Sequence, residues 1–128
     1  MDFFRIGLIG AGSIGTRHIK AIDEVAHIEL VAVADPSPDA RALGDSRNIE
    51  VFADAESMLS ETDVEAVIIA TPTERHHADV MTALKYRKTV LVEKPITATM
   101  KEAEEVTRYA AEQECQVLVG HQRRHYPL

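Results

Sequence analysis

Cysteine is almost absent. Cys115 stands alone among 128 residues, so no disulfide framework is available and a reducing compartment is expected. Positive charge is also scarce. Fourteen Lys and Arg stand against 21 Asp and Glu, a formal net charge of -7, which argues against nucleic acid or an anionic membrane surface as a partner. The one local basic cluster, Arg123-Arg124 between His121 and His125, is too short to reverse that. No apolar run approaches the roughly 20 residues needed to cross a bilayer. Met1-Asp2-Phe3-Phe4-Arg5 has no basic region leading into a long apolar stretch, so no signal peptide is indicated. Internal repeats, low-complexity tracts and an interdomain linker are missing as well. The expectation is a cytoplasmic domain, single at this length, burying roughly two-thirds of its unfolded surface.

What is there is an alternation. Apolar runs of strand length (4–9, 28–34, 51–53, 66–70, 89–92 and 116–119) are separated by segments of helical period. That pattern predicts a parallel sheet covered on both faces, in three layers. The helices are expected over 13–25, with Ile19, Ile22 and Ala26 on one stripe; over 74–86, with His76, Val80, Ala83 and Leu84; and over 99–113, with Ala103, Val106, Thr107 and Ala110. Thr99 and Glu102 form a capping-box pattern at the start of the last. Residues 37–44 and 56–60 are further helical segments, less clearly marked.

The first strand runs straight into Gly10-Ala11-Gly12-Ser13-Ile14-Gly15, which opens the first helix. A Gly-x-Gly-x-x-Gly in that context fits a dinucleotide loop. Gly10 permits the tight turn, Gly12 lets backbone approach a pyrophosphate, and Gly15 lets helix and strand pack closely. Ser13, Ile14 and the helix N-terminus then present N–H groups to the anion. The second strand ends in Asp35, 20 residues past Gly15, where a carboxylate accepts from the adenosine ribose hydroxyls. A carboxylate there repels a 2′-phosphate, so NAD is favoured over NADP; Arg41 is the counter-evidence. Methyltransferases with a similar loop usually carry an acid near the end of the first strand, where this chain has Ile9. The Gly-Lys-Ser/Thr of nucleotide hydrolases is also missing.

Ligands of open α/β sheets collect at the carboxyl ends of the strands, and two later strand ends carry chemistry. The fourth leads into Thr71-Pro72, with His76 in the first turn of the following helix; a histidine there is more often a packed core residue than a catalytic one. The fifth ends in Glu93-Lys94-Pro95. A lysine held beside a nicotinamide, in surroundings that favour its neutral form, serves proton transfer, although strand-end lysines are usually solvated. No metal site is expected. His76 and His77 point about 100° apart on a helix, and His121 and His125 lack a carboxylate or cysteine partner and are bracketed by Gly120 and Pro127.

These landmarks together resemble the N-terminal domain of the glucose–fructose oxidoreductase, inositol dehydrogenase and rhizopine-catabolism oxidoreductase family. In order they are Gly10–Gly15 with His18 beyond, Asp35, Ala70-Thr71-Pro72, His76, Ala83-Leu84, Glu93-Lys94-Pro95 and residues 120–127. The resemblance covers essentially the whole chain and implies a Rossmann-type doubly wound sheet of about six strands. It implies an NAD(P)-dependent oxidoreductase acting on sugars, polyols or related carbohydrates, with Lys94 near both the nicotinamide and the substrate hydroxyl, in the proton relay, and Glu93, Thr71, Pro72 and His76 along the dinucleotide cleft. His18 matches a family histidine, with helix packing as its simpler reading. Three positions depart from the pattern: Thr73 replaces an asparagine, Arg87 a helix-ending glycine and His125 an aromatic. The Arg87 turn is therefore expected to close without a favoured left-handed residue. The resemblance also implies a second domain outside these 128 residues, supplying the substrate pocket and most of any oligomer interface. On that reading the 128 residues bind cofactor without turnover. The competing class is a non-catalytic NAD/NADH-sensing module, which has no need of Lys94.

Overall fold

The computed structural model describes residues 2–120. Six strands, β1 (Phe4–Ile9), β2 (Ile28–Ala34), β3 (Glu50–Phe52), β4 (Ala66–Ile69), β5 (Thr89–Glu93) and β6 (Val117–Gly120), alternate with five helices. These are α1 (Ser13–Glu24), α2 (Pro38–Arg47), α3 (Ala55–Glu61), α4 (Thr73–Lys85) and α5 (Met100–Gln113). The strands form one all-parallel sheet in the order β3-β2-β1-β4-β5-β6, the Rossmann arrangement. The order reverses between β1 and β4, and the backbone diverges at their carboxyl ends to leave a crevice.

Two apolar layers flank the sheet. On one face Ile19 and Ile22 of α1 pack with Ile6, Leu8, Leu30, Val33 and Ile68, and Leu43 of α2 joins them. On the other, Met58 and Leu59 of α3, Val80, Ala83 and Leu84 of α4, and Val106 and Ala110 of α5 share a larger core. α1 and α4 therefore stand on opposite sides of the crevice. Among the described residues no helix is long and apolar enough to cross a membrane, and no group of three or more His, Cys, Asp or Glu could hold a metal ion.

Element boundaries differ from the sequence expectation by a residue or a few, with local causes. α1 stops at Glu24, so Ala26 lies beyond it and is exposed. α2 runs on to Arg47 because Asn48 takes the left-handed conformation that ends it. Gly44 is thus interior: a Cβ there would stand 2.2 Å from Val51 Cγ2, so the glycine lets α2 lie close on β3. On α5, Val106 and Ala110 are buried but Thr107 is exposed, its hydroxyl donating to the Ala103 carbonyl. Thr99 does cap α5, accepting from the Glu102 N–H at 3.2 Å. The capping box is incomplete, however, because Glu102 Oε1 accepts from the Thr99 hydroxyl.

Arg87 closes its turn in place of a glycine. It adopts φ +59, and N–H bonds from Arg87 to Leu84 O and from Lys88 to Ala83 O close a Schellman turn. The turn thus closes, as expected, without a residue that favours the left-handed region, Arg87 itself taking that conformation.

Candidate functional site

Gly10 takes φ +93, and a Cβ on it would meet Ala70 and Thr71 backbone at 2.8 Å. Gly15 is tighter, its Cβ falling 2.1 Å from Gly10 O. Both are glycines because the turn folds back on itself and on the end of β4. Gly12 is different: a Cβ there meets nothing within 4 Å. Its missing side chain leaves open space, not a packed contact. Gly12 is also the N-cap of α1 and provides no side-chain acceptor, so the first-turn N–H groups stay available to a ligand.

That open side faces a cleft of about 630 Å³ at the carboxyl ends of β1, β2 and β4. Gly10, Gly12, Ser13, Ile14, Asp35, Thr71 and Pro72, all picked out from sequence, line it. Asp35 braces the loop. Its Oδ2 accepts from the Ala11 N–H at 2.8 Å and its Oδ1 from the Ser37 N–H at 2.8 Å. Partial burial pushes its carboxyl up, but the Ala11 and Ser37 hydrogen bonds outweigh this and hold it below the ordinary carboxylate value. The carboxylate keeps lone pairs for hydroxyl donors. An open cradle at Gly12, a bare helix N-terminus and an anchored carboxylate are the parts a dinucleotide needs, and the residues present fit one.

Other predicted residues are gathered behind and beside this cleft. Gly15 is buried beneath the loop. His76 is 1% exposed, with Nδ1 2.7 Å from Pro95 O and Nε2 2.8 Å from Thr71 O. It ties the end of β4 to the turn after β5 and is not among the residues that line the cleft, where the resemblance had set it. A neutral ring carries one N–H for these two carbonyl oxygens; only the protonated ring donates to both. Glu93 is buried and pairs with His18 Nε2 through Oε1 at 2.5 Å. His18 thus joins α1 to the end of β5, more than the packing role expected of it. Lys94, at the next position, is exposed, and its bond to Pro95 is cis. The desolvation expected for Lys94 is not supplied by the described residues. His121 and His125 lie outside those residues.

Three site residues escaped the sequence reading. Asp54, the N-cap of α3, Arg75 and Asp79 all line the cleft. Asp79 is 3% exposed; its Oδ2 accepts from the Thr71 hydroxyl at 2.9 Å and its Oδ1 from Arg75 Nη2 at 3.4 Å. The available signal was a carboxylate on the apolar stripe of α4, between His76 and Val80.

The comparisons with known proteins agree on what this arrangement is. Residues 4–121 match the model of the oxidoreductase family with an NAD-binding Rossmann fold. The rhizopine catabolism protein MocA of Rhizobium meliloti is 33% identical over 99% of this chain and 40% of its own length. Inositol 2-dehydrogenase of Rhizobium meliloti strain 1021 is 33% identical over 96% of this chain and 37% of its own. Among solved structures, the scyllo-inositol dehydrogenase of Lactobacillus casei with bound NAD(H) and scyllo-inositol superposes with a TM-score of 0.91 at 27% identity, over 98% of this chain and 38% of that one. The WlbA dehydrogenase of Bordetella pertussis, in complex with NADH and UDP-GlcNAcA, gives 0.91 at 26%, over 96% and 38%. The chain thus spans about two-fifths of the length of these relatives. Strand order, loop and match together place the chain in the GFO/IDH/MocA family of NAD-dependent oxidoreductases, as its NAD-binding Rossmann domain.

Proposed function

We propose that these residues form the cofactor half of a dehydrogenase that oxidises a sugar, polyol or related carbohydrate with NAD. The substrate pocket comes from a second domain beyond residue 128. The observation that carries this reading is the cleft itself: open space at Gly12 and a bare α1 N-terminus on one side, the anchored Asp35 carboxylate on the other. The carbohydrates bound to the Lactobacillus casei and Bordetella pertussis enzymes support the substrate class.

On this reading each residue has a role. The N–H groups of Ser13 and Ile14 hold the pyrophosphate, and Asp35 accepts from the adenosine ribose and repels a 2′-phosphate. Bound cofactor supplies a hydride acceptor. Lys94 Nζ would take up the proton of the substrate hydroxyl. His76 holds the Pro95 carbonyl and so the turn that carries Lys94, while His18 holds Glu93.

Fluorescence titration with both reduced cofactors tests the cofactor reading. NADH should bind more tightly than NADPH, and Asp35→Ala should weaken NADH. Tighter NADPH binding would sink the NAD preference. In the full-length protein, Lys94→Ala should leave NADH binding unchanged and abolish sugar oxidation; retained turnover would remove Lys94 from the chemistry.

A further inference from the structure

Both ring nitrogens of His76 face oxygens that can only accept. Nδ1 lies 2.7 Å from Pro95 O and Nε2 2.8 Å from Thr71 O, on a residue 1% exposed. A neutral ring has one N–H, so its other nitrogen would turn a lone pair toward a carbonyl oxygen. Bulk water does not reach the ring to relieve that contact. The imidazolium has no such conflict, since it donates to both carbonyls.

A second unexpected group stands on the same helix. Asp79, 3% exposed, lies three residues along α4 from His76, on the stripe completed by Val80, Ala83 and Leu84. Residues at that spacing are neighbours on a helix surface. A buried carboxylate is costly alone, as is a buried imidazolium, whereas each favours the charged form of the other. Thr71 bridges them: its hydroxyl donates to Asp79 Oδ2 at 2.9 Å, and its carbonyl accepts from His76 Nε2. One residue therefore solvates both charges.

The other charges on the surrounding elements are engaged elsewhere or solvated. Arg75 reaches Asp79 at 3.4 Å from a side chain 58% exposed, where water screens the pair. Glu93 pairs with His18 of α1, and Lys94 is exposed. Glu102 and Glu105 of α5 pair with His77, not His76.

We infer that His76 is carried as the imidazolium with Asp79 as its counter-charge, and that this pair locks the end of β4 to the turn bearing Lys94. Asp79 is then a positioning residue that acts through His76. With a neutral ring one of the two carbonyl bonds is lost, and the lock fails on one side. What the lock positions rests on the Lys94 reading above; the charge pair itself does not.

Nitrogen NMR of the histidine rings at pH 7 tests this in the 128-residue protein. Both His76 nitrogens should carry a proton in the wild type; a bare Nδ1 or Nε2 would overturn the inference with no variant needed. Asp79→Asn, nearly isosteric, should strip one of those protons at the same pH. Both protons retained there would remove Asp79 as the counter-charge. Amide exchange across residues 93–97 should quicken by about tenfold in Asp79→Asn, the scale of one lost hydrogen bond to a charged group. Unchanged exchange would end the positioning role. Thr71→Val removes the bridging hydroxyl but neither charge, so the ring protons should persist. Their loss in that variant too would assign the effect to loosened packing and overturn the charge pair. These readouts follow ring protons and backbone exchange, not turnover. Their failure leaves the proposed oxidation standing, and retained turnover in Lys94→Ala would leave the charge pair standing.

Discussion

The three glycines of the loop look alike in sequence but answer to different constraints, and substitution should separate them. Gly15→Ala puts a methyl 2.1 Å from a backbone oxygen and should cost more than about 2 kcal/mol in urea unfolding. Gly12→Ala meets nothing and should cost less than about 1 kcal/mol, the weakening of an N-cap. It should nevertheless abolish NADH binding, because its methyl fills the space through which the pyrophosphate approaches. A Gly12→Ala protein that binds NADH normally would refute the assignment of that space. Asp35 makes a second residue-scale prediction. Its folded-state value lies below the ordinary 3.8, so its contribution to stability is complete above pH 3.8 and is lost as pH falls below it. Compared with wild type, Asp35→Asn should show a deficit that is constant from pH 5 to 7 and shrinks in more acid solution, as read from urea midpoints. A deficit independent of pH would mean that the hydrogen bonds act without the charge.

Helix ends set most of what happens at the scale of the element. Arg87 and Glu114 hold φ +59 and +56 at the carboxyl ends of α4 and α5, a conformation that disfavours a Cβ by roughly 1–2 kcal/mol. Arg87→Gly should therefore stabilise the protein by about 1 kcal/mol, measured as a higher urea midpoint at unchanged slope; a lower midpoint would show that the arginine side chain contributes more than its backbone costs. The same ends explain why helices were legible only to within a few residues. Periodicity finds the body of α1, α4 and α5, since their buried positions recur every three or four residues. It does not find Asn48, Arg87 or Glu114 as stops, because any residue can be forced into the left-handed region when the following chain must turn into a strand. Gly44 misled in the opposite sense. A glycine near a helix end reads as a terminator, whereas here it is a contact surface for Val51.

For the whole molecule, cofactor binding and folding are linked. NADH at a hundredfold excess over its dissociation constant should raise unfolding free energy by about 2.7 kcal/mol, seen as a higher melting temperature. Gly12→Ala should abolish that rise while keeping nearly the wild-type melting temperature without ligand. A wild-type protein that melts at the same temperature with and without saturating NADH would contradict the cleft's assignment.

The candidate site divides along the same line. Gly10, Gly12, Ser13, Ile14, Asp35, Thr71 and Pro72 were legible because each follows a strand end, and strand ends are marked by local composition. Asp79 was not legible, since a carboxylate on an apolar stripe acquires meaning only when Thr71 and Arg75 are seen against it. The sequence by itself determined the alternation of strands and helices, the glycine turn and the acid 20 residues beyond it. All are properties of neighbouring residues: φ preference, hydrophobic period, helix start. Tertiary structure alone decided which strand ends meet. Strand order brings β1 beside β4, sets His18 on Glu93 across 75 residues and His76 on Pro95 across 19, and leaves α1 and α4 facing each other across one crevice. Those pairings depend on how the sheet is wound, which no local stretch of the chain encodes.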